Sequence, residues 1–184
     1  YTMKIRKYQA DDKDSCQRIC LETFRGKRSP KTDKMLLLLY NDYYLEKEPL
    51  NAFVLTDDET VCGYILTSES FPEYREIFIN EYLSSLKKLS LRQYLLKKIS
   101  LFIEGKIAKR FPSHLHIDIL SPYTGKGSGS EMLGLALNAL REKGVKGIFL
   151  GVGSNNRKAV KFYLKQGFRK KLRLPSVIYM VKEL

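Results

Sequence analysis

The chain has 184 residues, enough for one domain with a sizeable core, and its 43% apolar and 29% charged content exclude a disordered or fibrous protein. The longest apolar run, Met35 to Tyr40, is far too short to cross a bilayer, and no signal peptide precedes the first strand pattern. Lys and Arg number 33 against 20 Asp and Glu, and the net charge of +13 suits an anionic cofactor, an acidic substrate or a nucleic-acid partner.

Met3 to Tyr8 alternates and predicts a first strand. Asp11 or Asp12 caps the helix that follows, with Cys16, Ile19, Cys20 and Phe24 on its apolar face. The two cysteines lie four apart and read as core, while Cys62 stands alone, so neither a disulfide framework nor a zinc site is implied. Reduced thiols and the missing leader point to a cytoplasmic location. The chain opens at Tyr1 with no Met, which points to missing or replaced residues at that end. A second helix is expected from about Thr32 through Tyr43, stopping before Pro49.

Ala52 to Thr56 and Val61 to Thr67 flank the turn 57–60 and predict a hairpin. Residues 70–110 read as helices, with one core stripe of Phe78, Tyr82, Leu86 and Leu89. A second stripe comprises Tyr94, Leu95, Ile99, Phe102 and Ile103. His114 to Leu120 is a strand, Leu133, Ala136, Leu137 and Leu140 mark a helix ending near Gly144, and Gly147 to Val152 is a buried strand. A short helix starts at Asn155 or Asn156 and closes at Gly167, and two final strands surround Pro175. The order predicts one mixed α/β domain over 1–184, with no internal repeat or linker.

Between the central strand and its helix lies Thr124-Gly125-Lys126-Gly127-Ser128-Gly129-Ser130. Glycines let a ligand approach the backbone, and the unpaired first-turn amides and helix dipole make an anion site there. A P-loop needs Ser or Thr after Gly125-Lys126, where Gly127 stands. The dinucleotide fingerprint needs a third glycine at Ser130 or Met132 and also fails. A second motif begins 32 residues after Thr124, with the spacing Asn156-x-x-Ala159-x-x-Phe162-Tyr163-x-x-x-Gly167-Phe168.

The two motifs together resemble the GCN5-related N-acetyltransferases, the GNAT superfamily, whose loop signature is Gln/Arg-x-x-Gly-x-Gly/Ala. The resemblance implies a GNAT fold, with a central mixed, mostly antiparallel sheet flanked by helices and a helical insertion at about 70–110. It implies acetyl-CoA as cosubstrate and an amine as acceptor, either a small molecule or a protein, without a membrane partner. The backbone of Gly125 to Ser130 would hold pyrophosphate. Ile119 and Leu120 would pair with the pantetheine arm, Asn156 would touch it, and Tyr163 would protonate the departing thiolate. Thr124 departs from the usual Gln or Arg. The segments Leu36 to Pro49 and Phe111 to Leu120 look closest to the acetyltransferase-like domain of O-GlcNAcase-type proteins and their free-standing bacterial relatives.

His114, His116 and Asp118 alternate on one strand face, but two histidines are too few for a metallo-hydrolase ligand set. Acetyl transfer needs a base for the acceptor ammonium and an acid for sulfur. Asp118 and His116 are the base candidates and Tyr163 the acid. Residues 27–50 and 70–110 are expected to wall the acceptor site. The competing reading is a catalytically weak module of the same fold that engages nucleic acid or an acidic protein through its basic surface. A homodimer stays open.

Overall fold

The computed structural model describes residues 3–184; Tyr1 and Thr2, and with them the reading of that end, lie outside the described residues. Seven strands form one sheet in the order β1-β2-β3-β4-β5-β7-β6. They are β1 (Met3–Lys7), β2 (Ala52–Asp57), β3 (Thr60–Ser68), β4 (Ser113–Ile119), β5 (Gly147–Gly153), β6 (Arg169–Arg173) and β7 (Val177–Glu183). Only β4 and β5 run parallel, so the sheet is mixed and mostly antiparallel, as the GNAT resemblance implies.

Helices cover both faces and separate two cores. On one face lie α1 (Lys13–Thr23), α2 (Pro30–Tyr40), α3 (Asp42–Lys47), α4 (Phe71–Ile77), α5 (Leu83–Leu89) and α6 (Leu91–Ala108). On the other lie α7 (Ser128–Glu142) and α8 (Arg157–Lys165). Alternation along β4 assigns its side chains: His114 joins the first core, and Leu115 the second. In α7, the predicted Leu133, Ala136, Leu137 and Leu140 are all buried, and Gly144 ends it at φ +78°.

Besides Phe24, expected on the apolar face of α1 but 38% exposed just past its end, three expectations needed correction. Asp12 precedes α1, but its carboxylate does not cap the helix: it takes a two-pronged bond from Arg6 at 2.7 and 2.8 Å and the Gln9 N–H at 2.8 Å. The single helix expected over 32–43 is two, broken at buried Asn41 (φ −132°, ψ −60°). Its true start is Ser29, whose hydroxyl accepts the Thr32 N–H, with Pro30 in the first turn. The third concerns α6. Leu95, Ile99 and Phe102, expected as core, are 50, 57 and 59% exposed, while the buried side of the helix is carried by Leu101, Ile107 and Ala108. The first stripe packs as predicted at Phe78, Tyr82 and Leu86, which are buried, while Leu89 at its end is only half-buried. A π-helical turn over Phe78–Tyr82 joins α4 to α5.

Candidate active site

Strands β4 and β5 are each seven residues long, yet they pair only at Ser113 with Ile148 and His114 with Phe149. Beyond those pairs they diverge, and a gap opens in the middle of the sheet. On its other side β4 stays paired with β3 as far as Ile119 opposite Gly63. The Leu120 N–H donates to the Cys62 carbonyl at 2.9 Å. Antiparallel alternation then turns the backbone of Ile119 and Ile117 away from β3 and towards the gap. Of the two residues expected to pair with a ligand, Ile119 offers its backbone there. Leu120 does not: its carbonyl also accepts the Tyr123 N–H at 2.9 Å.

The glycine loop sits at the end of this gap, leading into α7. Gly125 (φ +81°) and Gly127 (φ +91°) hold left-handed conformations with open space where a side chain would stand. The amides of Gly125, Lys126, Gly127, Ser128 and Gly129 donate to no backbone carbonyl among the described residues. They run from the loop through the N-cap Gly127 into the first turn of a 15-residue helix, where partial positive charge accumulates. Gly125, Lys126 and Gly127 are exposed, while Ser128 is buried. The cradle therefore fits a phosphate group by backbone alone. Thr124 spends its hydroxyl locally, on the Ser121 carbonyl at 2.9 Å.

Helix α8 closes the same side. Asn156 caps it, its Oδ1 accepting the Ala159 N–H at 3.2 Å. Ser130 accepts a hydrogen bond from Gln166 Nε2 at 2.9 Å, which ties the first turn of α7 to the end of α8. Gln166 falls outside the fixed positions of the second motif. Tyr163 is 7% exposed. Burial, and then the charge of Asp118, raise its pKa, so its hydroxyl stays protonated.

Asp118 lies on β4 opposite Tyr64 of β3, whose hydroxyl donates to its Oδ2 at 2.5 Å. Burial pushes the Asp118 carboxyl up to about 6, with the hydrogen bond from Tyr64 holding it back. Tyr64 comes from β3, and only the strand register could have revealed it. His116 is a different case. It lies edge-on between Tyr40 and Tyr44, with centroids 5.3 and 5.2 Å away. Burial, then the neighbouring Lys97, bring its pKa down to about 3. His114 is held neutral by burial among Phe71, Tyr74 and Phe149. Two ionisable groups thus have separated properties: burial raises the Asp118 carboxyl to about 6, and Tyr163 retains its proton. Asp118 acts electrostatically on Tyr163 across the sheet, although the two side chains sit in different cores.

A cavity of about 460 Å³ opens on the α2 and α6 side of the gap. It draws on both segments expected to wall an acceptor site. Tyr40 and Tyr44 come from the first, and Tyr74, Lys97 and Glu104 from the second. Among the described residues no cluster of three or more His, Cys, Asp or Glu is placed to hold a metal ion. The three cysteines are buried and unpaired. No described helix is long and apolar enough to cross a membrane.

Solved structures of the same architecture span the whole chain. SsHAT aligns at TM-score 0.86 and 24% identity, covering 100% of this chain and 98% of its own. The PaiA N-acetyltransferase from Thermoplasma acidophilum, in complex with coenzyme A, aligns at TM-score 0.66 and 17% identity over 100% of both chains. YncA from Salmonella typhimurium, described as a putative acetyltransferase with its cofactor acetyl-CoA, aligns at 0.63 and 17%, covering 100% of this chain and 95% of its own. These likenesses establish the fold, and the family rests on sequence: the profile of the acetyltransferase (GNAT) family matches residues 14–168. With its unpaired amide cradle at one end of a split sheet and that match over most of its length, the chain belongs to the acetyltransferase (GNAT) family.

Proposed function

We propose that the protein is an acetyl-CoA-dependent N-acetyltransferase that acts on a primary amine by direct attack in a ternary complex. The observation that carries this reading is the coincidence of the β4–β5 gap with five unpartnered amides at the start of α7. Two structural relatives are described with CoA or acetyl-CoA bound, which supports the same cosubstrate here.

Bound acetyl-CoA supplies an acetyl thioester. The amides of Gly125 to Gly129 and the hydroxyl of Ser130 are suited to its pyrophosphate. The free backbone edge at Ile117 and Ile119 is suited to the amides of its pantetheine arm, and the Asn156 side chain would touch that arm as the family resemblance implies. Asp118, ionised above about pH 6, accepts the proton of the acceptor ammonium directly or through water. Tyr163 holds the proton destined for sulfur. The two roles are coupled. Asp118's charge is one of the causes raising the Tyr163 pKa, so protonation of Asp118 makes Tyr163 a better acid. His116, with a pKa near 3, is a poor base at neutral pH and fits a wall residue better.

Among acetyltransferase-like domains we place the chain nearest to the O-GlcNAcase-type group. Its two supporting segments form α2–α3 and β4, which border the acceptor cavity. One domain over 1–184, with the 70–110 insertion as acceptor wall, and a cytoplasmic setting for the reduced thiols complete the reading. A binding module without transfer is less favoured, because a module would not need the intact glycine cradle. Calorimetric titration with acetyl-CoA tests the core of this proposal. Micromolar binding is expected, and no heat at millimolar cosubstrate sinks it.

A further inference from the structure

The acceptor cavity has a composition that narrows the amine it takes. Its charged lining groups are Lys97 and Glu104, which face each other at 3.9 Å. Glu104 also accepts from the Tyr179 hydroxyl at 3.3 Å, and Lys97 lies over the rings of Tyr74 and Phe78 at 5.3 and 4.9 Å. With that pair satisfied internally, no carboxylate is left over to hold a second ammonium. The rest of the lining is mostly aromatic and aliphatic, with the uncharged polar side chains of Gln93, Ser100, Ser176, His114 and His116 among it. Two lining residues, both over nine-tenths buried, keep polar atoms without a partner: the Tyr44 hydroxyl and the His114 imidazole. The cavity therefore suits the attacking amine in its deprotonated, neutral form on a largely apolar stem, and offers no anion to a second ammonium.

Its mouth continues in the same character. Leu96 and Ile99 line the cavity and are still 46 and 57% exposed. On the outer face of α6 they join Leu91, Leu95 and Phe102, at 60, 50 and 59% exposure. Leu91 to Phe102 spans roughly 16 Å along the helix axis. Such a contiguous exposed apolar stripe is a mark of a binding surface. Arg92, Lys98 and Lys106 flank it, and with a chain charge of +13 they repel a polycation. Like charges also oppose pairing this face with a second copy of itself.

We propose that the acceptor is a monoamine on an extended apolar body, its amino group in the cavity and its body along the α6 stripe. This rests on the acetyltransferase reading above. The transfer is an ordinary one: a C–N bond forms as the thioester C–S bond breaks, one proton leaves the amine, and CoA departs as the thiol.

The test is a series of butylamine, octylamine and dodecylamine, below their aggregation thresholds, with spermidine as comparison. CoA thiol release is followed at saturating acetyl-CoA. The expected result is kcat/KM rising about ten-fold or more from butylamine to dodecylamine, with spermidine below both. A Leu95→Ser/Phe102→Ser double variant should flatten that rise, with its acetyl-CoA affinity serving as the folding control. Equal turnover along the series, or spermidine as the better acceptor, overturns the proposal. So does a two-fold particle mass by light scattering that the double variant abolishes, since the stripe then serves self-association. Dodecylamine binding to the free protein, read by tyrosine fluorescence, separates the two levels. Binding of acetyl-CoA without any alkylamine binding defeats this inference alone, whereas dodecylamine binding without acetyl-CoA binding defeats the enzyme reading instead.

Discussion

The side of the cleft proposed to hold the cosubstrate is built from two contiguous stretches, the loop 124–130 and the capped helix 156–168, and each would act largely through its own backbone. The proposed acceptor side is assembled from α2, α3, α4, α6 and the strands beneath them, with Tyr40, Tyr74 and Tyr179 converging from distant parts of the chain. Backbone recognition of a phosphate demands glycines at fixed offsets and therefore leaves a motif. A pocket made of side chains from many elements demands only that each be roughly the right size and polarity. The difference predicts that changes on the first side abolish binding of one ligand, while changes on the second alter which ligand is used.

The largest effect is expected on β4, whose start lines the cavity and whose end leads to the glycine loop. Asp118→Asn keeps an acceptor for the Tyr64 hydroxyl but removes the base, and turnover should fall roughly 10²- to 10⁴-fold. The acid limb of kcat/KM in the parent protein should lie near pH 6. A limb near 4, the ordinary carboxylate range, would show that Asp118 is not the group observed. The same variant should be more stable at pH 8. The carboxyl's pKa is raised on folding, so the cost of its charge is absent below its unfolded pKa and fully present above about 6. Partial exposure to the cleft discounts the shift, leaving a gain of about 1–2 kcal/mol in denaturant midpoint analysis.

Next comes the loop. Gly127→Val places a branched side chain at φ +91° and in the path of any phosphate, and acetyl-CoA affinity should drop about 10²- to 10³-fold by calorimetry. The α6 double variant should leave that affinity alone. Equal losses from both would erase the distinction between the two sides. Tyr163→Phe should lower kcat about 10- to 10²-fold with acetyl-CoA affinity nearly intact. Unchanged kcat would remove Tyr163 from the acid role.

Much of this architecture was legible in the residues themselves. Strands, turns and the α7 stripe follow from period and punctuation, and the glycine loop and Asn156 cap follow from local chemistry. What escaped was set by tertiary placement. A helix with apolar residues on more than one side, such as α6, offers two candidate core faces, and period alone does not choose between them. Leu101 and Ile107 won the core, and Leu95, Ile99 and Phe102 were left outside. The break at Asn41 carries no glycine or proline signal. His114, His116 and Asp118 are equivalent by alternation, and only their surroundings distinguish an aromatic wall from a group titrating near neutrality.

The smallest expected effect concerns a contact that neither motif contains. Gln166 lies just beyond α8 and donates to Ser130 in the first turn of α7, joining two backbone structures proposed to hold different parts of one ligand. Its own energy is that of one partly exposed hydrogen bond, about 1 kcal/mol. Gln166→Ala should thus weaken acetyl-CoA binding by a few-fold. The loss has a signature if the bond acts by holding α7 and α8 in register: it should appear for the whole cosubstrate and be much smaller for its pantetheine fragment, which does not reach the glycine cradle. Equal losses for both would place the effect on Tyr163 and the α8 terminus instead. In that case the loop and the α8 helix would act as separate sites that happen to be adjacent, and their shared legibility in the sequence would reflect two independent backbone constraints.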